Sequence, residues 1–205
     1  MRSASITLIV FLLLFMVENV MAAEEAEYSV FLNQDKLEIR DYAPSIVAEV
    51  IVNDDFEDAS GAAFRKLFNY ISGDNTGRNK IAMTSPVSQK PEPEKIAMTS
   101  PVGQRKSEQG WAVSFMMPAS YTMDSIPLPD DPSVVIREIP AYRAAAIRYS
   151  GSWSEKAYKK QLALLLEWIE AENLEIVGET VWARYNAPFT PWFMRRNEIL
   201  IPIGS

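Results

Sequence analysis

Ile39-Arg40-Asp41 returns 97 positions later as Ile136-Arg137-Glu138. The same spacing pairs Val47-Ala48 with Ala144-Ala145, Asp55-Phe56 with Ser152-Trp153, and Phe68 with Leu165. One register that holds from strand to strand to helix start marks a duplicated unit, and two copies make a pseudo-twofold domain rather than a solenoid. In the first copy, Tyr28–Leu32 and Leu37–Tyr42 read as strands joined by the polar turn Asn33–Lys36, and Ser45–Val52 as a third strand. Asp55 reads as a helix N-cap with Asp58 at the third helical position, and Ala63, Phe64, Leu67, Phe68 and Ile71 keep helical spacing up to Gly73. In the second copy, Val134–Ile139 and Tyr142–Tyr149 are the strands, and Ser152 with Glu155 forms a capping box. Tyr158, Leu162, Leu164, Leu165, Trp168 and Ile169 follow as an amphipathic helix, then Val177–Tyr185 and Glu198–Ile203 as closing strands. Faces and stripes of this kind must bury one another. The expectation is therefore an α+β domain, a distorted antiparallel β-barrel flanked by two α-helices, with halves at about 28–123 and 134–203 divided by the proline- and acid-rich segment 124–132.

A second, shorter repeat is superimposed on this one. Lys-Ile-Ala-Met-Thr-Ser-Pro-Val occupies Lys80–Val87 and again Lys95–Val102, fifteen positions apart, so it is not the fold's own duplication. Ile, Met and Val fall on one side of the alternation and Ala and Thr on the other, which predicts a half-buried strand in each copy, ending at Pro86 and Pro101. The connector Ser88–Glu94 reads as an exposed loop, and Trp111–Met117 as a strand closed by Pro118.

The N-terminus has a different character. Arg2 precedes an apolar run from Ile6 to Val17, and Val20-Met21-Ala22-Ala23 suits cleavage after Ala22. Residues 1–22 are expected to be a signal peptide, which implies a periplasmic or secreted domain 23–205; an uncleaved anchor is the weaker alternative. The chain has no cysteine, so no disulfide supports it and its stability must come from the core. Its net charge is −7, and removing residues 1–22 takes away Arg2 and Glu18 and leaves that unchanged. With Lys and Arg scattered, apart from Arg195-Arg196, no nucleic-acid partner and no stable membrane insertion after cleavage are expected.

The chemistry is as much defined by what is missing. There is no histidine, so serine and cysteine triads, histidine general bases and the usual zinc ligand sets are excluded, and no glycine-rich phosphate loop is present. No carboxylate pair is singled out by spacing, and no catalytic residue is assigned. Methionines and aromatics are plentiful and suit a flat hydrophobic ligand. The segment Tyr185–Glu198 sets aromatics in a proline-stiffened loop beside Arg195, Arg196 and Glu198. Two readings stand: a rigid loop closing the barrel with an arginine on a carboxylate, or a ligand-facing loop.

The octapeptide pair, Gly110-Trp111 with Phe115–Pro118, Gly151–Ser154, and Tyr185-Asn186 through Arg195-Arg196-Asn197-Glu198 together resemble the SOUL haem-binding protein family, over about Tyr28 to Ile203. The resemblance implies the pseudo-symmetric fold of gyrase-inhibitor-like effector-binding domains. It also implies non-covalent binding of haem or another porphyrin as a carrier or buffer, by a monomer and without enzymatic activity. With no histidine ligand on offer, haem would be held by Met or Tyr, or by hydrophobic enclosure with a basic residue on the propionates. The helix end and following loop resemble the stretch bordering the family's groove. This implies Phe64, Phe68, Ile71 and Met83 as groove-lining and Arg78 or Lys80 as propionate partners. A binding module for another apolar small molecule is the alternative.

Overall fold

The computed structural model describes residues 23–78 and 92–204. The segment 1–22 and the first octapeptide, with Lys80 and Met83, lie outside the described residues. The strands are β1 (Tyr28–Gln34), β2 (Leu37–Tyr42), β3 (Ser45–Val52), β4 (Asn75–Thr76), β5 (Val102–Ser107), β6 (Gly110–Met116), β7 (Leu128–Pro129), β8 (Val135–Ile139), β9 (Tyr142–Tyr149), β10 (Val181–Arg184) and β11 (Asn197–Pro202). Helix α1 spans Ala59–Ser72 and α2 spans Glu155–Ala171. Nine strands form one antiparallel sheet in the order β1-β2-β9-β11-β10-β5-β6-β3-β8, and β4 pairs separately with β7.

Apart from β1, this order reads the same from both ends when β2 is exchanged for β8, β9 for β3, β11 for β6 and β10 for β5. That is the pseudo-twofold fold expected from the 97-residue register. The structure adds an exchange of partners: β2 pairs with β9 of the other half, while β8 pairs with β3. Each half therefore supplies the other's outer strand.

Strand alternation gives the sheet two faces. Ala48, Val50, Val113 and Phe115 meet Ala63, Leu67, Tyr70 and Ile71 of α1 in one core. Ala145, Ile147, Ile199 and Ile201 meet Leu165, Trp168 and Ile169 of α2 in another. The intervening residues, among them Val47, Glu49, Met116, Ala183 and Leu200, point to the opposite, concave side.

Several local expectations change. The N-cap of α1 is Asp58, without a side-chain capping bond, and Asp55 contributes only its carbonyl, to Ala59 N–H. The N-cap of α2 is Ser154, whose hydroxyl accepts from Ala157 N–H, rather than Ser152. The second octapeptide is not a strand before Val102. Ile96 N–H donates to the carbonyl of Ile71 at the end of α1, and Ser100 N–H to that of Glu24, so these groups serve the helix and the N-terminal segment instead of a ladder. Ile96 and Thr99 are buried while Met98 is exposed, a spacing of three where alternation required two. The sheet strand that follows, β5, lies beyond Pro101, where no strand was expected.

Glu198 ties the two halves together. It is wholly buried, and its carboxylate accepts from Arg40 Nη1 at 2.6 Å, Arg196 Nε at 2.9 Å and the Tyr185 hydroxyl at 3.0 Å. Arg40, on β2, also donates to Glu38 and the Tyr42 oxygen, and reaches β11 across β9, whose concave residues Ala144 and Ala146 leave the passage open. Burial alone would raise the Glu198 pKa; the bonds to Arg40 and Arg196 outweigh it and hold the carboxyl below its ordinary range. A depressed carboxylate stabilises the fold above its unfolded pKa, and that contribution is lost as pH falls through the folded value. Arg40→Ala is expected to lower the unfolding free energy by about 3–5 kcal/mol in urea titration, because it strands a buried charge. Glu198→Gln is expected to flatten the acid limb of the stability profile, followed by circular dichroism below the ordinary carboxylate pKa. Gly110 has φ +132°, and an added Cβ would collide with the Val52 carbonyl. Gly110→Ala is expected to cost at least about 1–3 kcal/mol.

Candidate functional site

The concave face encloses a cleft of about 360 Å³ where the two halves meet. Small residues hollow it out: Gly103 on β5, Ser114 on β6 and Ala183 on β10 sit side by side in register. A Cβ on Gly103 would lie 2.7 Å from Ser114 Oγ, so the floor accepts nothing larger without moving that hydroxyl. The walls are mostly apolar, with Val47, Met116, Ile139, Val181 and Leu200 beside Tyr42 and Tyr142. A neighbouring cavity of about 540 Å³ shares Ala26, Tyr42, Ser45, Met116 and Tyr142 with it, and the acidic stretch Glu24–Glu27 borders that second space.

The aromatic wall is ordered by stacking. Tyr42 and Tyr142 lie 5.0 Å apart with an interplanar angle of 9°, and Tyr28 leans on Tyr42 at 5.1 Å. Burial pushes the Tyr142 phenol up to about 12, with Arg40 opposing, and raises Tyr42 and Tyr185 further. All three stay protonated at neutral pH.

Charge in the cleft is concentrated on one cluster. Glu49 of β3 accepts from Arg105 Nη2 at 2.9 and 3.0 Å and from Arg137 Nη1 at 2.8 Å. Arg105 also holds Glu179 at 2.9 Å. Arg137 is half-exposed and commits only Nη1 to a bond among the described residues, so its remaining N–H groups face the cleft and solvent. Such a site can receive a carboxylate at Arg137 while its apolar walls enclose a flat body. A cationic ligand would have to compete for Glu49 with two guanidinium groups. Among the described residues no group of three acidic side chains is placed to hold a metal ion.

Of the residues nominated from the sequence, Phe64, Phe68 and Ile71 lie on the opposite, helix-bearing side. Phe64 stacks on Phe68 at 5.9 Å and meets Phe115 edge-on at 5.2 Å. Phe68 is exposed, whereas Ile71 is buried in the α1 core. Arg78 is exposed and donates to the Met123 carbonyl at 2.8 Å. Phe64 and Phe68 are thus together, Ile71 is packed inward and Arg78 is anchored elsewhere; Lys80 and Met83 lie outside the described residues. The cleft residues escaped the sequence reading because they are spread over eight strands, none of which contributes more than three of them. The one available signal was Arg137 in the repeated Ile-Arg-acid triplet. Ile71→Ala is expected to cost about 2–5 kcal/mol of stability and Phe68→Ala under about 1 kcal/mol, measured by urea unfolding.

Comparison with known proteins agrees with the fold. The model of the family described as SOUL heme-binding protein matches residues 23–202. Heme-binding protein 2 of Homo sapiens is 29% identical over 171 residues, covering 78% of each chain, and that of Mus musculus is 28% identical over the same share. Among solved structures, the EcmrR C-terminal domain superposes with a TM-score of 0.53 at 13% identity, covering 87% of this chain and 98% of that one. A structure described as a hydrolase from Listeria innocua gives a TM-score of 0.55 at 13% identity, covering 85% and 94%. At that identity the two structures share the fold alone. With the curled nine-stranded sheet, its two helices and the family match over nearly all the described residues, the chain belongs to the SOUL haem-binding protein family.

Proposed function

We propose that this protein is an exported tetrapyrrole-binding protein, a carrier or buffer that holds haem or a related porphyrin non-covalently in the cleft between its halves. The observation that carries the reading is the cleft itself: an apolar-walled space of about 360 Å³, inside the range of small-molecule sites, with a partly committed arginine at one end. The residues fit a porphyrin by enclosure more than by coordination. No histidine or cysteine exists in the chain, and the three cleft phenols are kept protonated by burial, which disfavours phenolate ligation. Among the described residues Met116 is the thioether that borders the cleft, and Arg137, with Arg105, is the partner for propionates. A porphyrin would contribute a large flat apolar surface to bury, and among the described residues Met116 is the side chain that could meet its iron. Cleavage after Ala22 would leave the stretch Glu24–Glu27 in place beside the cleft.

A second reading puts the porphyrin on the α1 face, and a specific observation favours it: Phe68 stacks on Phe64 yet remains exposed. The alternative ligand class is another apolar small molecule with an acidic group.

Haemin titration separates these. Saturable binding with a Soret shift and tryptophan quenching at micromolar haemin is expected. Arg137→Glu should weaken it at least about tenfold by reversing a charge-assisted contact, and Glu49→Gln should strengthen it by releasing both arginines. Loss of binding on Phe68→Glu with Arg137→Glu unchanged would move the site to α1. No saturable shift in the wild-type chain, with thermal stabilisation by fatty acids instead, would replace the porphyrin reading altogether.

A further inference from the structure

One feature of the chain lies outside the cleft and the ionic network. Residues Ala187–Met194, Ala-Pro-Phe-Thr-Pro-Trp-Phe-Met, contain no charged side chain in a protein where 23% of residues are charged. They form the loop between β10 and β11, ending in a short 3-10 turn at Trp192–Met194. Four large apolar side chains project from it into solvent: Phe189 is 89% exposed, and Trp192, Phe193 and Met194 are 63%, 61% and 65% exposed. None of the four lines the cleft or its neighbouring cavity.

This exposure is built rather than incidental. Arg195 donates from Nε to the Thr190 carbonyl and from Nη2 to that of Pro188, both at 2.8 Å. Thr190 N–H bonds to Ala187, Met194 N–H to Pro191, and Arg196 N–H to the Asn186 side chain. Two prolines and these bonds hold the loop in one shape, so the apolar tip needs little further ordering to engage a partner. Trp192 and Phe193 pack edge to face at 5.6 Å and present a joint surface.

The surroundings indicate the partner. Met194 and Arg195 share a surface depression with Lys36 and Arg148, which the bond from Arg148 N–H to the Lys36 carbonyl sets side by side. Lys36, Arg148 and Arg195 make no ion pair among the described residues. Of the acids in the same depression, Glu38 is taken by Arg40, which leaves Asp35. A chain of net charge −7 thus carries a local group of cations beside Met194, at the base of the loop that presents Trp192 and the two Phe. Aromatic side chains that enter the headgroup region beneath a ring of Lys and Arg match an anionic bilayer surface, with apolar burial and charge attraction acting together.

We propose that loop Ala187–Met194 is an interfacial docking element that inserts Phe189, Trp192 and Phe193 among the headgroups of an anionic bilayer, with Lys36, Arg148 and Arg195 on the lipid phosphates. The absence of cysteine gives the test a unique probe. Full-length chain carrying Phe193→Cys with an environment-sensitive fluorophore is mixed with vesicles of phosphatidylcholine alone or with phosphatidylglycerol. A control carries the same label at Glu108→Cys in the exposed β5–β6 turn. A saturable blue shift is expected at 193 on the anionic vesicles, with no shift at 108. Lys36→Gln with Arg148→Gln should weaken it more than about tenfold. The control separates loop insertion from any anchoring by residues 6–17, because only insertion of the loop moves the 193 label. A label at 193 that keeps its aqueous emission on vesicle-bound protein overturns the proposal, as does an equal shift on neutral vesicles. Neither result bears on haemin binding, which is read separately. The labelled position is exposed, and an unchanged urea midpoint shows that each variant is folded.

Discussion

A buried carboxylate governs the architecture of this protein. Glu198 has no access to water, and an ionised group in that position persists only if its charge is met by partners of fixed geometry. Two arginines and a tyrosine meet it, and they come from β2, from the residue before β11 and from the residue after β10. Arg40 must cross β9 to do so, which requires the small concave residues Ala144 and Ala146, and Arg196 in turn binds Glu25 of the N-terminal segment at 2.7 Å. One carboxylate therefore links the exchanged outer strand, the closing strand and the N-terminal segment, and orients Tyr42 and Tyr185 in the wall of the cleft.

The same alternation that builds the two helix-covered cores also builds the site. On the helix side the strands carry Val, Ile, Leu and Phe and are closed by α1 and α2. On the concave side the central strands carry Gly103, Ser114 and Ala183, and no element covers them among the described residues. The fold thus leaves a hollow where the pseudo-symmetric halves meet, which is a consequence of residue size on one face rather than of a dedicated loop. The charge cluster of that hollow differs from the Glu198 network in exposure: Arg137 reaches solvent and keeps N–H groups available, whereas Arg40 is fully engaged.

Much of the fold was legible as pattern. The 97-residue register, the period-two strands and the amphipathic stripes of Phe64–Ile71 and Tyr158–Ile169 describe interactions between near neighbours in the chain. Failures occurred where a distant group captured the backbone: Ile71 and Glu24 claimed the N–H groups of the second octapeptide and prevented the strand its alternation promised. The cleft was not legible, because Glu49, Arg105 and Arg137 are separated by dozens of residues and each alone looks like a strand-surface charge. The loop Tyr185–Glu198 was visible as unusual, but only the structure distinguished Arg196, bound to Glu198, from Arg195, which braces the aromatic tip through Nε and Nη2.

Sequence alone determined the duplicated α+β unit, the absence of histidine and cysteine chemistry, and the family, since each is written in local periodicity, composition or contiguous motif. Tertiary structure decided which strands exchange between halves, which face of the sheet stays open, and which arginine remains available to a ligand. These depend on strand pairing and on charges brought together from β3, β5 and β8, a long-range competition for hydrogen bonds and counter-charges that no single stretch of residues encodes.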